Sequence, residues 1–327
     1  MMFTLKGEQK VCQIGSLQVG GPFGENPPLL ISSMFHNGDR ILESRKEHKF
    51  DHAKALELLK QQEALSQQTG IPAIVAMVAS SAEEMKYYID FFTEHSDLPF
   101  GIDMWVQQPR LEAMEYAASK GLMDRVLYNS ITPWDKDIAG QVKALRDMGA
   151  KHVVVQAFDE NDQMPSGRMT AFEKLMEEVG QGGFSTIMVD TAVMNLPATV
   201  FSCLGNKMLK EQYGWPAGVA TSNGTFMWKE AREMWGQNGF AGMDAAGQAL
   251  SALLWSDFIF YGPITVAPRI FPAVVSACLF QATLAFNETK RLPDNKNHPI
   301  YKFFEPFATK LSEGQQSELV HGGIAVE

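Results

Sequence analysis

Six short apolar runs in this chain each give way to polar side chains that could grip a small molecule. Gly101-Ile102 leads into Asp103, Leu127-Tyr128 into Asn129 and Ser130, and the run from His152 into Gln156 and then Asp159. Met188-Val189 leads into Asp190-Thr191, the run from Ala217 into Thr221-Ser222-Asn223, and the run from Leu29 ends near His36 and Asn37. No lysine falls at these ends to form a Schiff base, no Ser-His pair is placed as a nucleophile, and His36 is their one histidine. Carboxylates and carboxamides together suit a ligand edge that mixes N–H donors with carbonyl-type acceptors. A carboxylate takes two adjacent N–H groups in a bidentate, charge-assisted pair. A carboxamide offers one acceptor and two donors. A 2-amino-4-oxopterin has such an edge: N3–H and the 2-amino group for a carboxylate, and O4, N8–H and N5 for carboxamides. Buried polar pairs of this kind reject ligands that lack the matching groups.

Each residue also has a plain structural reading. Asp103 alone reads equally well as a helix cap. Asn129 could stabilise a turn, Asn223-Gly224 is a common turn pair, and His36 could be a packed or exposed loop residue. The functional reading rests on Asp103, Asn129, Asp190 and Asn223 lying at the same end of four different runs. Asp103 with Asp190 also resembles the paired carboxylates of glycoside hydrolysis. Glutamate is scarce at these ends, however, and only Trp105 would offer a sugar platform.

The runs read as strands over Leu29–Ser33, Ala73–Val78, Phe100–Met104, Arg125–Asn129, His152–Ala157, Thr186–Asp190, Ala217–Thr221 and Phe258–Gly262. Their nearly continuous apolar character marks parallel strands covered on both faces. Between them, helical periodicity spans Ala53–Gln68, Ala82–Glu94, Pro109–Lys120, Asp135–Met148, Thr170–Val179 and Pro197–Gln212. It resumes over Thr225–Trp235 with Ala245–Leu254, and over Pro268–Arg291. Ser81 with Glu84 three residues on forms a capping pair, and Pro109 opening a helix that stops before Gly121 follows the usual asymmetry. Eight strand-helix units with short connections predict an α/β fold, a (β/α)8 TIM barrel. An open doubly wound sheet would bring a glycine-rich turn after its first strand; here that turn is Met34-Phe35-His36-Asn37-Gly38. Residues 1–28 read as an N-terminal hairpin, Val11–Ile14 and Leu17–Val19, able to cap the barrel bottom. Residues 292–327 read as a C-terminal extension of the same single domain, 1–327.

Composition narrows the partners. The chain has 327 residues, 45% hydrophobic, and a formal net charge of −10, with no dense basic block. That disfavours nucleic acid, which needs a basic footprint. The mixed charges of Arg40 to Lys49 read as a solvated loop. Cys12, Cys203 and Cys278 are scattered and odd in number, which suits a reducing, cytoplasmic setting. No CxxC, HExxH or His/Cys cluster suggests a metal. The apolar stretch Ile270 to Phe286 is broken by Pro272 and has no basic anchors, so it reads as a buried barrel helix and not a membrane insertion. The N-terminus has no signal-peptide pattern.

The segments Gly101-Ile102-Asp103, Tyr128-Asn129-Ser130, Asp190-Thr191-Ala192-Val193 and Tyr213-Gly214-Trp215-Pro216, leading to Ser222-Asn223, fall in order on successive strands. Through them the chain resembles the H-subunit family of tetrahydromethanopterin S-methyltransferase. In character it is most similar to the methylcorrinoid:tetrahydrofolate methyltransferases of glycine betaine demethylation. The resemblance spans about Val11 to Arg291. It implies methyl transfer between a corrinoid, carried by a separate corrinoid protein docked over the barrel mouth, and N5 of tetrahydrofolate, with 5-methyltetrahydrofolate as the methylated form. Tetrahydromethanopterin is the alternative pterin, and non-catalytic docking of the corrinoid protein the alternative role. The resemblance further implies a homodimer, a pterin edge held by Asp103, Asn129 and Asp190, and Asn223 beside N5. Ser222 and Gln156 complete the expected pterin contacts, with Asn223 and Asp103 as the expected catalytic residues. Phe226 and Ala231 occupy positions where related enzymes offer polar or basic groups, which leaves Lys229, Arg232 and Arg269 as candidates for the anionic pterin tail. A dihydropteroate synthase on the same scaffold would want a Lys/Arg pair at the strand ends, and none is seen there in the sequence.

Overall fold

The computed structural model describes residues 2–315. The chain opens with an antiparallel hairpin, β1 (Val11–Ile14) and β2 (Leu17–Gly20), in which Cys12 pairs with Val19. Next come β3 (Leu29–Met34), a second small hairpin of β4 (Leu42–Ser44) and β5 (Lys49–Phe50), and α1 (His52–Thr69). Then strands and helices alternate: β6 (Ala73–Val78), α2 (Ala82–His95), β7 (Phe100–Asp103), α3 (Gln107–Ser119), β8 (Val126–Ile131), α4 (Ile138–Asp147), β9 (His152–Gln156) and α5 (Pro165–Val179). The series ends with β10 (Thr186–Asp190), α6 (Thr199–Tyr213), β11 (Ala217–Val219), α7 (Thr221–Met227), α8 (Glu230–Leu253), β12 (Phe258–Pro263), α9 (Ala267–Thr289) and α10 (Pro299–Ser312). Strands β3, β6, β7, β8, β9, β10, β11 and β12 close into one parallel barrel, the (β/α)8 fold expected from the alternation.

Inside the barrel, Ile31, Ile74, Leu127, Val154, Met188 and Phe258 pack with Cys12, Ile14 and Val19 of the first hairpin. The hairpin therefore plugs the bottom, as its position in the sequence suggested. Beneath the same end, buried Lys210 is ion-paired with Asp257, and Asp257 accepts the Ala217 N–H at 3.0 Å. Outside the barrel, the strand faces meet one stripe of each helix. In α3 that stripe is Arg110, Ala113, Met114 and Ala117; in α5 it includes Arg168, Phe172, Leu175 and Val179. Both follow helical spacing.

Local signals act as their chemistry requires. Ser81 Oγ accepts the Glu84 N–H at 3.2 Å, while the Glu84 carboxylate reaches back to the Ser80 N–H at 2.7 Å. Gly70 closes α1 with φ 75°, a left-handed conformation that favours glycine.

Three expectations need correction. The 40–49 stretch keeps Arg40, Glu43, Lys46, Glu47 and Lys49 exposed, but it forms a pinned hairpin and not an open loop: Arg45 donates to buried Glu84 at 2.7 Å, and Phe35 stacks on Tyr88 at 3.8 Å. The partner that neutralises Arg45 lies 39 residues away, beyond the reach of local composition. The strand expected over Ala217–Thr221 stops at Val219, and Thr221-Ser222-Asn223 form the first turn of α7. The following helix is long and broken at Gly236, whose φ of 64° and ψ of −177° leave the helical region. The expected extension contains a further helix, α10, while its residues 316–327 lie outside the described part. The segment Ile264–Thr289 is long and apolar enough to cross a membrane, but Ile270, Phe271, Val274, Ala277 and Cys278 belong to a core cluster with Leu30 and Ile259.

Candidate active site

A cavity of about 660 Å³ opens at the C-terminal ends of the barrel strands, within the usual size range of small-molecule sites and at the end of the barrel where such sites are built. All six residues expected to contact a pterin, Asp103, Asn129, Gln156, Asp190, Ser222 and Asn223, line it. His36 and Asn37 join them. Asp159 lines a different depression, and Thr191 is fully buried and bonded to Asn206.

Asp103 ends β7 beside Asn129, its parallel neighbour on β8, whose side chain is near enough to favour the carboxylate. Burial pushes the Asp103 carboxyl up to about 6, against the opposing pull of the Arg110 charge and the Asn129 side chain. Asp190 ends β10, and its Oδ1 accepts the Ala192 N–H at 2.9 Å. Its Oδ2 takes no hydrogen bond from the described residues. Burial raises this carboxyl also to about 6, opposed by the Ala192 N–H and Arg168 and reinforced by repulsion from Asp103. Both groups therefore change charge near neutrality, where the arrival of a donor-rich ligand can fix them as carboxylates.

The carboxamides of Gln156 and Asn223 make no hydrogen bond to other described residues, so their donors and acceptors are open to the cavity. Ser222 differs. Its hydroxyl donates to the Phe260 carbonyl at 3.1 Å, which leaves it only as an acceptor toward a ligand. Gly262, at φ 92°, keeps the backbone close to Ser222, whose Cβ would lie 3.1 Å from any added side chain. His36 Nδ1 faces Asp39 at 3.6 Å without a hydrogen bond, and burial lowers its pKa.

The sequence reading missed the two arginines behind the carboxylates. Arg110 is buried in the cavity wall, donates to the Met104 carbonyl at 2.7 Å and to Asp135 at 3.3 Å, and lies 4.8 Å from the Tyr128 ring centroid. Its Nε is buried without a partner. Arg168 is equally buried and donates to the Thr191 carbonyl at 2.7 Å, the Ala192 carbonyl at 3.2 Å and Ser202 Oγ at 3.0 Å. Each carboxylate thus has a cation behind it that comes from a helix and not from a strand end. The detectable signal was position: both arginines fall on the apolar stripe of their helices.

Among the described residues, no group of three His, Cys, Asp or Glu side chains could hold a metal ion.

Fold and site together define a (β/α)8 barrel whose strand ends bring two acids and two unbonded carboxamides to one cavity. Residues 7–289 match the family described as the tetrahydromethanopterin S-methyltransferase MtrH subunit, and the chain belongs to this methyltransferase family. It is 29% identical to the H subunit of tetrahydromethanopterin S-methyltransferase from Methanopyrus kandleri, an alignment that covers 86% of this chain and 94% of that one. It is 30% identical to the H subunit of a putative mtx methyltransferase from Methanosarcina mazei, over 91% of this chain and 99% of the relative. Among solved structures, 7,8-dihydropteroate synthase from Vibrio fischeri superposes with a TM-score of 0.58 at 11% identity, covering 84% and 98% of the two chains. A Yersinia pestis dihydropteroate synthase bound to a pterine-sulfa conjugate gives 0.56 at 11% identity, covering 83% and 99%. These two likenesses are likenesses of fold.

Proposed function

We propose that this chain transfers a methyl group to or from N5 of a tetrahydropterin, with the pterin edge held by Asp103, Asn129 and Asp190. The observation that carries the reading is the meeting of those three residues with the unbonded carboxamides of Gln156 and Asn223 in one cavity. The curated relatives are named for tetrahydromethanopterin, which favours that pterin over tetrahydrofolate, the one the sequence reading put first.

A carboxylate at Asp103 or Asp190 can take N3–H and the 2-amino group together. Asn223, on the first turn of α7 across the mouth, can donate a hydrogen bond to N5. The amine is a poor leaving group unless its lone pair is stabilised as the methyl carbon departs. A donor that tightens in the transition state accelerates that step. The carboxamide cannot surrender a proton, so water ordered by Asp103 would supply or remove it.

A corrinoid held by a separate protein would supply the methyl acceptor or donor. The rim suits such a partner. Trp105 is 83% exposed and stacks at 6.3 Å on Trp134, also exposed, and Val106, Met164 and Met194 add apolar surface. These five follow β7, β8, β9 and β10, four neighbouring strands of the barrel. Exposed aromatic groups beside a mouth mark interaction surfaces. We place the enzyme in a reducing, cytoplasmic setting, which its three buried, unpaired cysteines support, and as a homodimer alongside its corrinoid protein.

The test is methyl transfer from methylcobalamin to tetrahydromethanopterin and to tetrahydrofolate, followed by the cobalt absorption change. Transfer to either supports the reading, and the faster one identifies the pterin. Calorimetric binding of neither pterin refutes it.

A further inference from the structure

A second chamber, about 710 Å³, adjoins the first and shares His36, Gly38, Phe226, Arg232 and Pro263 with it. Its charged lining is one-sided: Arg40, Lys54, Arg232 and Arg269 against Asp39. Lys54 is paired with Glu57 at 2.8 Å, and Arg269 with buried Asp244. Asp39 is occupied by the Phe35 and Ile41 N–H groups. Arg40 and Arg232 have no carboxylate at ion-pair distance among the described residues. The Arg232 guanidinium lies 4.3 Å from the Phe240 ring centroid and 5.1 Å from that of Phe226. These two ring contacts are of the cation–π kind, and the Arg232 guanidinium makes no hydrogen bond to another described residue, which leaves its N–H groups open to a ligand. Arg269 adds a buried Nε without a partner.

We propose that this chamber binds the anionic tail of the pterin, the carboxylate or phosphate groups carried beyond C6 of the bicycle. This rests on the pterin reading of the first cavity and extends it. In the barrel order, β12 and β3 lie across from β8 and β9, the two strands that β7 and β10 flank. The pyrimidine edge of a pterin and its C6 substituent are at opposite ends of the ring system. With the edge held on the β7–β10 side, C6 points toward the loops after β12 and β3, where the chamber opens. The lining the two chambers share includes Phe226, Arg232 and Pro263. Arg232 therefore stands at the junction, with Arg40 and Arg269 further along. Lys229, a sequence candidate for the tail, lines neither chamber, while Ala231 is buried and the Phe226 ring lies 5.1 Å from the Arg232 guanidinium.

Calorimetry on the full chain tests this with four probes: tetrahydromethanopterin, tetrahydrofolate, its triglutamate, and 6-methyltetrahydropterin, which has no tail. The variants are Arg232→Met and, as an exposed change that does not endanger folding, Arg40→Ser. Each variant should weaken the tailed ligands roughly tenfold, the scale of one charge-assisted contact, and change the tail-less ligand less than about twofold. The loss should shrink at high salt. Equal losses for tailed and tail-less ligands, or no loss in both variants, overturn the tail assignment while leaving the pterin cavity standing. Failure of all four probes to bind the wild type overturns both.

Discussion

Asp103→Asn separates the charge of the site from its shape. In the wild type, burial holds the Asp103 carboxyl at about 6, where an unfolded aspartate ionises near its usual 3.8. A carboxyl raised in this way contributes stability that is full below the unfolded value and is lost as pH rises through the folded one. That difference corresponds to about 3 kcal/mol, so the empty protein should lose up to about that much stability between pH 4 and pH 7 through this group. Asp190, also at about 6, adds a loss of similar sign. Ligand binding runs the other way. If two pterin N–H groups need the ionised carboxylate, affinity should fall about tenfold between pH 7 and pH 5 for each carboxylate required. Asp103→Asn should therefore raise the thermal midpoint of the empty protein at pH 7, flatten its pH dependence, and weaken pterin binding. Thermal unfolding and calorimetry at pH 5, 6, 7 and 8 read both effects. A wild-type affinity that stays level across that range, or a variant that keeps the full wild-type slope, would refute the reasoning.

Asn223→Ala should cut turnover on the order of 10²–10³ while changing pterin affinity little, because its bond to N5 matters most in the transition state; equal losses in kcat and binding would make it a simple contact. Trp105→Ala should slow transfer from the partner's corrinoid and leave transfer from free methylcobalamin near wild type; an equal fall in both rates would remove the docking role. Lys210→Met leaves Asp257 buried and unpaired, so chemical denaturation should show a loss of about 3–5 kcal/mol. Because this pair sits at the far end of the barrel, the folded variant should bind pterin normally, and an altered affinity would contradict that separation.

Much of this was legible because the barrel strands are buried on both faces and carry almost unbroken apolar runs. Asp103, Asn129 and Asp190 stood out as polar interruptions at their ends. Asn223 was found for a partly wrong reason: it sits on a helical turn after a three-residue strand and not on the strand itself. Arg110 and Arg168 escaped notice because an arginine on a helix reads as a solvated charge. Only continuing the stripe back from Ala117 through Met114 and Ala113, or from Leu175 through Phe172, reaches them. The β4–β5 hairpin was illegible since its anchor, Glu84, belongs to another helix. The choice of pterin lies beyond the strand ends altogether, because the bicyclic edge is common to both candidates and their tails differ.

The hairpin wedged under the barrel makes the cavity a blind alley. On the proposed chemistry, both methyl carriers must come and go through a single doorway. The pterin has to be seated before the corrinoid-bearing protein covers the threshold, and the cover has to lift before product leaves. Turnover would then depend on how briefly the two proteins stay together, so a partner that clings too tightly should be a slower one.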